Sequence, residues 1–204
     1  MVGNVGVGKT TIFTFLKQER EGEQQEIPST GEDKKFRDSC TKTFVIAGGK
    51  EKIKMDIWDT GGTETYKTVP TNYYRNAEAV VLVYDVSNQK SVDSLRAWIT
   101  DALNTAPKAL LVLLGNKNDL KDETDGSADR IAEDCDIKMH YRVSAKYEDG
   151  VVEAFKVIAH ELHSRRRITL GQAGSRKGRG NTEGEIMVTE NQLHPDKSRG
   201  DCCA

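Results

Sequence analysis

The first chemistry in the chain lies in Gly3-Asn4-Val5-Gly6-Val7-Gly8-Lys9-Thr10, which has the spacing G-x-x-x-x-G-K-[ST]. Glycines at 3, 6 and 8 let the backbone curl until successive N–H groups point inward as an anion-binding nest. Lys9 is placed to give a point charge to the β- and γ-phosphates of a nucleotide, and the Thr10 hydroxyl to ligate Mg²⁺. Thr10-Thr11-Ile12-Phe13-Thr14-Phe15-Leu16 then opens a helix whose positive N-terminal end faces the phosphates.

Three further motifs follow in an informative order. Asp59-x-x-Gly62 offers an aspartate for the Mg²⁺ shell and a glycine N–H that can sense a γ-phosphate. Asn116-Lys117-Asn118-Asp119 follows an apolar run, at the carboxyl edge of the sheet where open α/β folds bind ligands. A carboxylate there accepts from the N1–H and 2-amino donors of guanine. Adenine presents neither, so Asp119 selects GTP over ATP and argues against an ATP-using kinase. Lys117 is expected to lay its stem over the base plane. Ser144-Ala145-Lys146 follows the last strand and offers a backbone N–H to the guanine carbonyl oxygen.

Those loops need a scaffold, and the hydrophobic pattern supplies one. Residues 79–84 and 109–114 are unbroken apolar runs, as in strands buried on both faces of a parallel sheet. Between them Ser91 is placed to cap a helix with Val92, Leu95, Ile99, Ala102 and Leu103 at helical spacing, ending before Pro107. Upstream, Thr43-Phe44-Val45-Ile46 and the alternating Ile53, Met55 and Ile57 flank Gly48-Gly49, a hairpin pattern that runs into Trp58-Asp59. Met139, Tyr141 and Val143 predict a last strand. A closing helix is expected from Val151 to Arg166, with Val152, Phe155, Ile158, Ala159 and Leu162 inward. From residue 167 onward periodicity is lost and a flexible tail is expected, which gives a nucleotide domain over 1–166 and a tail over 167–204.

Bulk composition agrees. At 204 residues the chain holds one α/β domain and a tail, and its 36% apolar content is low for a wholly packed chain. Thirty basic against thirty-two acidic residues leave a net charge of −2, which gives no reason to expect nucleic acid as a partner. No apolar run is long enough to span a bilayer and no signal-peptide core follows Met1, so synthesis and retention in the cytosol are expected. Cys40 and Cys135 stand alone and Cys202-Cys203 lie at the end, a distribution unlike a disulfide framework or a zinc site.

Taken in this order, the four motifs resemble those of small GTPases of the Ras superfamily over residues 1–166, most closely the Rab branch. Trp58-Asp59-Thr60 resembles the Rab W-D-T, and Asn72-Tyr73-Tyr74-Arg75-Asn76-Ala77 resembles its S-Y-Y-R-G-A segment. The ending Cys202-Cys203-Ala204 resembles a Rab double-cysteine tail, geranylgeranylated on both cysteines in that family. The resemblance implies a P-loop G domain, a mostly parallel sheet with helices on both faces. It implies Mg²⁺ and GTP or GDP as ligands, with metal contacts from Thr10, Thr30 and Asp59, and catalytic positions at Lys9, Thr30, Gly62 and Thr63. It also implies exchange factors, GTPase-activating proteins, effectors and a prenyl-binding chaperone as partners. Its setting would be the cytoplasmic face of intracellular membranes, with a cytosolic pool, in vesicle trafficking.

Departures from the family pattern sharpen the reading. Thr30 is the best match to the switch I threonine, with Ser29 as fallback, and no aromatic residue lies between Phe15 and Phe36 to cover the guanine. Thr63 stands where the family has the glutamine that orients the attacking water. Threonine also occurs there in Rap proteins. Val5 stands where Gly or Ser is usual beside the γ-phosphate, and its branched side chain crowds both the water and an incoming arginine finger. Slow hydrolysis is therefore expected, unless both residues serve only to pack their loops. Trp58 and Tyr73 match two members of an effector-binding aromatic cluster, though either could also be interior. An apolar strand of about five residues precedes the cradle in the family, whereas only Met1 and Val2 stand there in this chain, so a truncated first strand or poor folding is expected. A Ras- or Rap-like signalling GTPase and a non-cycling GTP-binding scaffold remain the alternatives.

Overall fold

The two long apolar runs lie side by side in a parallel sheet. The computed structural model describes residues 1–18, 39–46, 51–61, 74 and 76–174, with side chains to residue 169. Strands β3 (Ala79–Asp85) and β4 (Leu110–Asn116) pair from Ala79 opposite Leu110 to Asp85 opposite Asn116, and β5 (Met139–Arg142) adds to β4 in parallel. Because successive side chains point to opposite faces, each strand serves two cores. Val81 and Val83 pack with Ile12 and Leu16 of α1 (Lys9–Gln18) and with Phe155 and Ile158 of α5 (Val151–Gly174). Val80, Leu82 and Tyr84 pack instead with Leu95 and Ile99 of α3 (Leu95–Thr105) and Ile131 of α4 (Ser127–Asp134). The result is an α/β fold with helices on both faces of the sheet.

An antiparallel pair completes the described strands. β1 (Ser39–Ile46) runs against β2 (Glu51–Trp58), with Ile46 opposite Glu51; the expected turn at Gly48-Gly49 lies outside the described residues. Met1 and Val2 link this pair to the parallel group. The Met1 ammonium donates to Trp58 O at 2.7 Å, Val2 N–H donates to Val81 O at 2.9 Å, and Val83 N–H donates to Val2 O at 2.8 Å. Val2 is buried against the α3 side of the sheet, so the slot beside β3 is entered by chain rather than left open at this level.

Three elements differ from the sequence reading. Ser91 is not a helix cap: α2 (Gln89–Asp93) is capped by Asn88, whose side-chain oxygen accepts from Lys90 N at 3.1 Å. Ser91 sits within the turn, where its buried hydroxyl accepts from Asp85 N–H at 3.0 Å and donates to Asn88 O at 2.7 Å, tying the helix to the end of β3. The expected single helix is consequently two, α2 and α3, meeting at Ser94. The short α4 has no counterpart among the expected elements, since its buried face is only Ala128, Ile131 and Ala132. Finally, α5 continues past Arg166 to Gly174. Arg166 pairs with Glu78 through both carboxylate oxygens, Arg165 Nε bonds Glu161 one turn back at 2.8 Å, and Thr169 donates to Arg165 O at 3.0 Å.

Candidate functional site

Four chain segments meet beyond the carboxyl ends of β3 and β4. The first is the loop from Gly3 to Gly8, which leaves the sheet between β2 and β3 and enters α1. Gly3 has φ +144 and lies so close to β3 that a Cβ would run into Val83 O. Gly8 has φ +98, and a Cβ there would overlap the Asn116 carboxamide. Both conformation and space therefore demand glycine at these two positions. Lys9 is buried, and its ammonium bonds Gly3 O and Asn4 O, each at 2.9 Å. The charge is thereby held by the carbonyls at the start of the loop. Val5 is 66% exposed at the outer rim of the same loop.

Asn116 fastens the cradle to the segments expected to meet the base. Its Nδ2 donates to Val7 O at 2.8 Å, and its Oδ1 accepts from Ala145 N–H at 3.0 Å. One buried carboxamide thus joins the phosphate loop, the end of β4 and the Ser144-Ala145-Lys146 segment. The Ala145 N–H is engaged by Asn116 in this arrangement. Asp119 accepts from Ser144 Oγ at 2.6 Å, which fixes one carboxylate oxygen and orients the group. Lys117 takes a left-handed backbone (φ +64), and its ammonium lies 2.6 Å from Asp85 Oδ2 at the end of β3.

Asp85 was not anticipated as part of this site, although an acidic residue closing an apolar strand was a readable signal. It also accepts from Ser87 N–H at 2.9 Å and Ser87 Oγ at 2.7 Å. Burial pushes the Asp85 carboxyl up, but the Lys117 ammonium and the two Ser87 bonds outweigh it and hold the group below the usual aspartate value. The loop after Asp119 is pinned as well. Asp122 accepts from the hydroxyl and the amide of Thr124, and these bonds, with Arg142 paired to it from β5, hold its carboxyl down to about 2.

The fourth segment is the end of β2. Asp59 is buried, and its Oδ1 accepts from Gly61 N–H at 3.0 Å. A methyl group placed on Gly61 would lie 2.5 Å from Thr10 Oγ1 and 2.9 Å from Asp59 Oδ2, so these two oxygens converge on one region at the start of α1. A hydroxyl and a carboxylate converging beside a phosphate loop suit a hard cation such as Mg²⁺, which takes few protein oxygens and keeps the phosphates and waters as further ligands. Trp58, one residue before Asp59, is 38% exposed rather than interior.

Of the remaining expected residues, Thr11 lies on the exposed side of α1 and Lys146 is exposed beside Tyr147, its ammonium 4.8 Å from the ring centroid. Thr30, Gly62, Thr63, Tyr73, Cys202 and Cys203 lie outside the described residues.

Comparison with known proteins gives a consistent result. The model of the Ras family matches residues 1–164. The Ras-related protein Rab-8B of Homo sapiens is 35% identical over 196 residues, covering 94% of this chain and 88% of the relative. Rab-8B of Pongo abelii matches to the same extent. Rab-8A of Rattus norvegicus is 36% identical over 169 residues, covering 81% of this chain and 77% of the relative.

Proposed function

The chain belongs to the Ras family, as a GTPase related to the Rab proteins, and from that premise we propose that it is a slowly hydrolysing switch of vesicle traffic. The observation that carries the nucleotide part is the buried Asn116 carboxamide, which holds phosphate loop and base-recognition loops as one unit. In this reading the cradle amides and Lys9 hold the β- and γ-phosphates, and Asp119, set by Ser144, accepts from the two guanine donors. Thr10 and Asp59 would hold Mg²⁺, which neutralises phosphate charge when bound. Thr30, Gly62 and Thr63 complete the γ-phosphate site.

Slow turnover is supported by two side chains. Thr63 is too short to orient water as a glutamine does. Val5 projects from the rim of the cradle, where it narrows the approach of water and of an arginine from an activating protein. The GTP state is thereby prolonged. Exchange factors, activating proteins, effectors and a prenyl-binding chaperone would set the cycle, and two lipids on Cys202 and Cys203 would hold the protein at the cytoplasmic face of intracellular membranes.

Competition of GTP, GDP and ATP for the purified full chain tests the nucleotide reading. Guanine nucleotides should displace a bound fluorescent GDP at concentrations at which ATP does not; equal displacement by ATP would remove Asp119 as the selecting group. The Ras- or Rap-like alternative rests on Thr63. Mass spectrometry of the C-terminal peptide separates the two, because two geranylgeranyl groups favour the trafficking reading and a single lipid opposes it.

A further inference from the structure

Asn4 is held by the far side of the molecule. Its Oδ1 accepts from the indole N–H of Trp98 on α3 at 2.8 Å, and its Nδ2 donates to Ser94 Oγ at 2.9 Å. The orientation of the carboxamide is fixed by chemistry, since an indole can only donate. Ser94 Oγ in turn donates to Lys90 O at 3.0 Å, which leaves its lone pairs for Asn4. Trp98 is otherwise a core residue, buried beside Leu95 and Ile99. Packing uses the apolar faces of the ring, whereas its N–H edge is aimed at the loop.

We infer that Trp98 is a positioning residue for the phosphate cradle, acting through the side chain of Asn4. Asn4 is placed to transmit the effect in two ways. Its carbonyl oxygen is one of the two that hold the Lys9 ammonium, and its peptide leads directly into Val5. A fixed Asn4 therefore sets where the lysine charge rests and in which direction Val5 leaves the loop. Movement of α3 is coupled to the cradle without any contact between that helix and the nucleotide. The effect on nucleotide release rests on the guanine-nucleotide reading above, whereas the coupling of α3 to the loop does not.

The test uses the full-length protein and two readouts. Amide hydrogen exchange compares Gly6, Val7, Gly8 and Thr10 with Val112, Leu113 and Leu114 of β4 as internal reference, and release of a fluorescent GDP analogue is followed separately. Trp98→Phe removes one buried donor and puts a smaller apolar ring in its place. It should raise exchange in the loop by roughly tenfold, the scale of one buried hydrogen bond, with β4 unchanged, and speed GDP release by a similar factor. Asn4→Ala should do the same, and the double variant should add little beyond either single one. Asn4→Asp keeps an acceptor for the indole and should restore near wild-type loop exchange. Loop exchange unchanged in Trp98→Phe, or raised equally in β4, would overturn the inference. Wild-type protein that retains no GDP would remove the nucleotide reading, while protection of the Trp98 indole N–H, lost in Asn4→Ala, would still decide the coupling.

Discussion

At the level of single residues the site depends on a few positions with no chemical substitute. Gly3 combines a left-handed backbone with contact against Val83 O, so Gly3→Ala should lower the melting temperature by several degrees, on the order of 2 kcal/mol or more, and a thermal melt at matched concentration checks it. Asp119→Ala removes the acceptor for two guanine donors and leaves Ser144 without its partner. Affinity for GDP should fall by roughly a hundredfold or more while ATP affinity stays where it was, measured by displacement of the fluorescent analogue. These residues were legible in the sequence because each belongs to a motif complete within a few residues, although their contacts with Val83 O and Ser144 form only in the fold. G-x-x-x-x-G-K-T and N-K-x-D specify backbone shape and ligand chemistry within a few residues. Asp85 and the side chain of Asn4 were not, because their roles come from Lys117 and Trp98, which only the folded sheet brings to them.

At the level of elements, the long apolar strands were readable and the short or interrupted elements were not. Two unbroken runs predict β3 and β4, but nothing local distinguishes Asn88 from Ser91 as the cap, and the difference lies in Ser91 being drawn into bonds with the end of β3. The same strands carry a pH dependence. Burial pushes the Tyr84 hydroxyl up to about 12, so it stays protonated, 2.8 Å from His140 Nε2; Nδ1 faces Asp129 at 3.1 Å, which favours a proton on Nδ1 and leaves Nε2 of the neutral ring to accept from Tyr84. Burial holds the His140 value below that of a free imidazole. An unfolded chain therefore binds this proton more readily than the folded one. The stability His140 lends is present above its unfolded value near 6.5 and is lost as pH falls through the lower folded value. Urea midpoints of wild type should drop between pH 7 and pH 5 more than those of His140→Gln, which keeps an acceptor for Tyr84 without titrating. Equal drops would discard His140 as the source.

For the molecule as a whole, two cores on opposite faces of one sheet hold the loops, and α5 continues past the expected boundary to Gly174 after Arg166 pairs with Glu78. Among the described residues no helix is long and apolar enough to cross a membrane. In the proposed function attachment is assigned to Cys202 and Cys203. One lipid chain binds marginally and reversibly, so either single Cys→Ser change should shift part of the protein into the soluble fraction and the double change should release it from membranes, as fractionation would record. In the proposed function this guanine-nucleotide switch turns over more slowly than is usual. Single-turnover hydrolysis of GTP preloaded on the full chain reads this rate, with Val5→Gly run beside wild type. The wild-type rate should lie below the intrinsic Ras-type rate of about 3–5 × 10⁻⁴ s⁻¹ and be raised severalfold by Val5→Gly with nucleotide retention unchanged. A wild-type rate at or above that value, or a Val5→Gly variant no faster than wild type, would contradict it.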